Sequence, residues 1–134
     1  MSSMNFENVK YTRGNAKILV NIPNEEELKG ILNNQDKITV KQFENDIVLN
    51  IQRRLYGDEI ENFEINCMFS VKIDNKEKLN KKEIINAIKN KEFNNIITDT
   101  YADISLIIAT ITKCTYFGTI VTIPTTIYDE LIIE

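Results

Sequence analysis

The chain has 134 residues, of which 43% are hydrophobic and 27% charged, a balance that suits one folded domain over residues 1–134 and not a disordered tail. Its net charge of −4 and pI near 5.0 lack the broad positive field that gathers nucleic-acid phosphates or anionic lipid heads. Histidine is absent, which removes the commonest general base and metal ligand and every Ser-His or Cys-His nucleophile pair.

Met1 to Asn15 has no continuous apolar core of the kind a signal peptide needs. No run reaches the roughly 18 apolar residues of a membrane span. The expectation is a soluble, cytoplasmic protein without membrane insertion. Asn8 to Ile22 reads as a strand interrupted at Arg13-Gly14-Asn15, where the glycine suggests a bulge or kink. In Asn24 to Asn33, Glu25, Glu26 and Glu27 precede Leu28, Ile31 and Leu32, which suits a short helix or a structured loop. Lys37 to Phe43 reads as a shorter strand.

Ile47, Leu49, Ile51 and Leu55 then alternate with Val48, Asn50, Gln52 and Arg54, and Tyr56-Gly57-Asp58 supplies turn chemistry. Phe63, Ile65, Cys67, Phe69, Val71 and Ile73 alternate with mostly polar residues, the pattern of a half-buried strand, although Met68 interrupts the polar side. The two segments predict an antiparallel hairpin. Arg53-Arg54 and the Lys76 to Lys82 stretch read as solvated surface.

The period changes in the second half. Asn80 and Glu83 form a capping-box pattern ahead of Ile84, Ile85 and Ile88, so a helix should begin near Lys81. Ile97, Tyr101, Ile104, Ile108 and Ile111 repeat at spacings of four and three and draw one stripe along a longer helix, against the propensity of Thr98, Thr100, Thr110 and Thr112. Gly118 is a plausible terminator, and Thr119 to Glu134 reads as an extended tail over the core. The predicted fold is α+β: a four-stranded antiparallel sheet packed against two C-terminal helices.

Little in the chain carries chemistry. Glycine at only positions 14, 30, 57 and 118 leaves no phosphate-binding or dinucleotide fingerprint. Asp58, Glu59, Glu61 and Glu64 cluster at a predicted turn, where solvated charge is normal. Cys67 and Cys114 are too few and too isolated for a disulfide scaffold or zinc cage and read as reduced, packed thiols. No cofactor, metal or enzymatic activity is expected. Apolar surface is what the sequence offers: a sheet and two helices leave one sheet face and one helix flank to be covered within the subunit, by self-association or by a partner.

The order of elements, with some of the residues, resembles the SecB-like family of protein-export chaperones. Asp46 to Ile51 and Phe63 to Val71 look like its third and fourth strands, and Tyr101-Ala102-Asp103-Ile104-Ser105 is similar to the tyrosine-alanine motif that opens its main helix. Thr115-Tyr116-Phe117-Gly118 with Val121-Thr122-Ile123-Pro124 corresponds to its exit into an extended tail. The resemblance covers roughly Ile38 to Leu131. It implies a dimer of dimers whose apolar grooves hold unfolded client polypeptides without a cofactor. The acidic residues with which the family docks its SecA motor are replaced by Gly14 to Lys17 and by Asn66, so a motor contact is not implied, whereas a dedicated partner such as an antitoxin would need only the groove.

The function expected from the sequence is therefore a holdase, with Ile84, Ile88, Phe93, Ile96 and Ile97 lining a client-binding furrow at the joint between the helices. The competing expectation is a non-catalytic assembly protein whose apolar faces are consumed by its own homo-oligomer.

Overall fold

Strict alternation of β-branched and polar residues drives the first half of the chain into strands, and a switch to a helical period drives the second half onto one face of the sheet they form. A computed structural model describes residues 10–22, 32–57, 63–75, 78–113, 115, 118–122 and 128–134. In chain order its elements are β1 (Tyr11–Arg13), β2 (Lys17–Asn21), β3 (Leu32–Gln42), β4 (Asp46–Gly57), β5 (Glu64–Asp74), α1 (Lys81–Ile88), α2 (Lys91–Thr112) and β6 (Glu130–Ile133).

The class is α+β, as the periodicities predict, but the sheet is larger than expected. It is six-stranded and mixed, in the order β1-β5-β4-β3-β6, with β2 also on β5. Two features account for the difference from four antiparallel strands. The N-terminal strand is broken in two, both halves pairing antiparallel with β5, and the tail adds β6 parallel to β3. The antiparallel part has Greek-key order, because β3, β4 and β5 follow one another as hairpins while β1 and β2 reach the far side of β5 by the long connection after residue 22.

β3 begins earlier than the sequence pattern suggests. It pairs with β4 without interruption from Leu32 opposite Gly57 to Gln42 opposite Ile47. Leu32 and Asn33 thus belong to a strand, not to a helix or loop over Asn24 to Asn33, and the remainder of that segment lies outside the described residues.

Both helices start where their caps dictate. The Asn80 side chain accepts from the Glu83 backbone N–H at 2.9 Å while Glu83 Oε1 accepts from the Asn80 N–H at 3.1 Å, and Asn90 caps α2 on the Glu92 N–H at 2.9 Å. The threonines of α2 are accommodated because Thr98, Thr100, Thr110 and Thr112 each donate a hydroxyl proton to the carbonyl four residues back, at 2.7–2.8 Å. α2 ends at Thr112, short of Gly118, which adopts a φ of 83° in the segment beyond. α2 packs across β4 and β5, with α1 against α2. Ile97, Tyr101, Ile104 and Ile108 thereby close over Leu49, Ile51, Ile65, Cys67, Val71 and Ile73 in one core. No described helix is long and apolar enough to cross a membrane.

Candidate functional site

Ile84, Ile88, Phe93, Ile96 and Ile97 all belong to the core: their exposure lies between 0% and 6%. α1 turns Ile84, Ala87 and Ile88 inward beside α2, so among the described residues these side chains are packed and do not line an open furrow.

The sheet face away from the helices is also not the bare apolar surface that the sequence suggests. It carries polar pairs laid across the strands: Gln52 to Asn66 at 2.8 Å, Ser70 to Asn50 at 2.6 Å, and Arg54 to Glu64 at 2.7 Å with the Arg54 guanidinium 4.4 Å from the Tyr56 ring. These pairs make the middle of that face polar.

Exposed apolar side chains concentrate instead on the N-terminal edge. Ile18, Leu19 and Val20 are 44%, 55% and 42% exposed, and Tyr11 on β1 is exposed as well. The backbone explains their direction. Arg13 pairs with Val71 and Lys17 with Met68, so three residues, 14 to 16, span two on β5; this is a β-bulge, held by a 3.0 Å bond from the Gly14 N–H to the Ser70 carbonyl. The extra residue reverses the alternation. Ile18 and Val20 stand opposite Cys67 and Ile65 on the helix side, while Leu19 joins Met68 on the other. A shallow depression of about 250 Å³ runs there past Lys17, Ile18, Leu19, Gln52, Asn66 and Met68.

At the β1 end the edge meets α2. Arg13 forms an ion pair with Asp103 and lies 4.8 Å from the Phe69 ring, and Tyr11, Arg13, Asp99, Ala102 and Asp103 line an open furrow of about 520 Å³. The edge strand thus offers an apolar run, a hydrogen-bonding side that pairs with none of the described residues, and a polar furrow in sequence.

The most closely built polar cluster went unread in the sequence. Arg53 is 1% exposed and donates to Asp36 twice, at 2.7 Å and 2.9 Å, to Ser105 at 3.0 Å and to Thr122 at 2.9 Å, with its guanidinium 5.0 Å from the Tyr101 ring. The solvated-surface reading therefore fails for Arg53, whereas Arg54 is half-exposed and paired with Glu64. The signal was present: Arg53 occupies the inward step between Ile51 and Leu55, and Asp36 the inward step before Ile38. The cluster ties β3, β4, α2 and the tail together in a closed space and holds no reacting geometry. Burial and the nearby Asp36 carboxylate push the Tyr101 hydroxyl well above the usual phenol range, so it remains a donor, here to the Gln52 carbonyl at 3.2 Å.

Cys67 is fully buried and burial pushes its thiol up to about 11, which makes it a packing residue. Cys114 and the Asp58 to Glu61 carboxylates lie outside the described residues. Among the described residues no group of His, Cys, Asp or Glu is arranged to hold a metal ion.

No family model, no curated protein and no solved structure matches the chain. The likeness to the SecB-like family accordingly rests on the quoted residues and the order of elements.

Proposed function

We propose that this chain is a non-enzymatic, cytoplasmic polypeptide-binding protein, a SecB-like holdase, that grips extended segments along its β1–β2 edge. The observation that carries the reading is the exposed run Ile18-Leu19-Val20 on an edge whose outer backbone groups pair with nothing described. An extended client laid there gains main-chain hydrogen bonds of any sequence and buries apolar side chains on both sides of the strand, the combination that makes recognition promiscuous.

The test is suppression of aggregation of a chemically denatured reporter enzyme. Wild type should suppress it, and a Leu19→Lys/Val20→Lys variant with an unchanged unfolding midpoint should not. Equal suppression by both chains refutes the edge as the gripping surface, and none by wild type refutes the holdase.

The same edge supports a second reading, a homo-oligomer that consumes it, because antiparallel pairing of two copies about Leu19 sets Ile18 against Val20. Light scattering with an apolar dye separates the two: a dye-silent oligomer favours assembly, a dye-binding one a chaperone, and a dimer of dimers would require a second interface, for which Phe43, Leu106 and Val121 are exposed apolar side chains away from this edge.

A further inference from the structure

Strand β6 is an unusual way to finish a sheet. It has four residues and runs parallel to β3, which spans eleven residues, and covers only Lys37 to Val40 of it. Parallel pairing is the weaker kind per residue, and a four-residue edge strand held on one side only opens more readily than the strands in the middle of the sheet.

Its contacts are nevertheless specific. The Asp129 carboxylate accepts from the Asp36 N–H at 2.7 Å, the Asp129 N–H donates to the Asp36 carbonyl at 2.8 Å, and the Glu134 N–H donates to the Val40 carbonyl at 2.9 Å. Leu131 and Ile133, in register with Ile38 and Val40, pack against the core. Charge is complementary as well: Glu130 is in register with Lys37, and Glu134 pairs with Lys41 at 3.2 Å.

We propose that β6 is a detachable occupant of a second polypeptide-docking edge. By its contacts, the β3 edge takes, in parallel, an extended segment with an acidic residue followed two and four positions later by aliphatic side chains, the pattern of Asp129, Leu131 and Ile133. The chain's own tail fills the edge and must yield to a partner segment of that kind, which makes the tail an internal competitor. The inference deepens the polypeptide-binding reading on which it rests, by naming a client class and a device that regulates its access. Tethering gives the tail a high effective concentration, so a free segment succeeds only where the tail has been weakened or the segment is abundant.

The probe is a fluorescein-labelled peptide of residues 128–134, Tyr-Asp-Glu-Leu-Ile-Ile-Glu, followed by anisotropy with the full chain and with a full-length Leu131→Ser/Ile133→Ser variant. The variant should bind it at least roughly ten-fold more tightly than wild type. A peptide with alanine for its aspartate and serines for Leu and the second Ile should lose that binding. Absent or equal binding by a folded variant overturns the proposal. Should the variant not fold, hydrogen exchange on the wild-type chain decides: the amides of residues 131–134 should exchange at least roughly ten-fold faster than those of β4, and faster still with excess unlabelled peptide. Protection of β6 equal to that of β4 overturns the proposal. Aggregation suppression is scored separately, so suppression without peptide binding removes this inference alone, and peptide binding without suppression removes the holdase reading alone.

Discussion

Asp36 on β3 and Arg53 on β4 stand directly opposite each other in the antiparallel ladder and join through two bonds of 2.7 Å and 2.9 Å in a site where neither is more than 3% exposed. Removing one member leaves the other buried and charged. Arg53→Met or Asp36→Leu alone should therefore destabilise the chain by about 3–5 kcal/mol in urea unfolding. The double variant Asp36→Leu/Arg53→Met should recover most of that loss, since Thr122 and Ser105 keep their mutual 3.0 Å bond. Additive losses in the double variant would show that the pair is not the unit holding these elements.

This pair also marks the boundary of what sequence patterns conveyed. Alternation in Ile47 to Leu55 and Phe63 to Ile73 was enough for the central hairpin, and Asn80 with Glu83 for the start of α1, because each signal is local and its physical cause acts within a few residues. The helical stripe through Ile97, Tyr101, Ile104 and Ile108 survived its threonines for the same reason. The pattern alone puts Arg53 on the surface because its partner lies in another strand: a charge on the inward face is intelligible only once Asp36 is set opposite it. The edge surface is hidden from the local pattern likewise, since Ile18 and Val20 point to the helix side only after a bulge whose register depends on β5.

The five helix-joint residues and the edge residues should separate cleanly in stability. Phe93→Ser and Ile97→Ser each empty part of a packed core and should cost about 3–5 kcal/mol. Leu19→Lys, on exposed surface, should change stability by no more than about 0.5 kcal/mol. Urea midpoints of the three variants check this, and a Phe93→Ser chain as stable as wild type would mean that the joint is open in solution.

The capping box of α1 offers a smaller test. Asn80→Ala removes the acceptor for the Glu83 N–H and should cost about 1 kcal/mol. Asn80→Gly, which keeps the extended φ and ψ of the cap within easy reach, should cost only a few tenths. Indistinguishable midpoints for the alanine and wild-type chains would put the origin of α1 in packing and not in its cap.

Alkaline stability should report Cys67. Burial raises its thiol from 9.0 to about 11, so the folded chain holds this proton longer than the unfolded chain does. The contribution is complete below about pH 9 and is lost as pH rises through 11, on the order of 2 kcal/mol. Cys67→Ala, although less stable at pH 7, should show a shallower decline between pH 9 and 11 than wild type, with any effect of Tyr101 common to both. Parallel declines in the two chains would assign the alkaline loss to other groups.

The bulge at residues 14–16 gives the last prediction. Deleting Asn15 leaves two residues opposite two, so Lys17 still meets Met68 and Ile18 still meets Cys67, but the edge becomes a continuous regular ladder. Bulges twist an edge away from flat pairing with another strand, and this one interrupts the only strand that exposes three consecutive apolar side chains among the described residues. The deletion chain should fold, keep its helices by circular dichroism and associate at lower concentration than wild type in light scattering. A deletion chain that remains as dispersed as wild type would show that the edge is guarded by something other than the break in its backbone, and Lys17, the one charged side chain on β2, would be the next residue to replace.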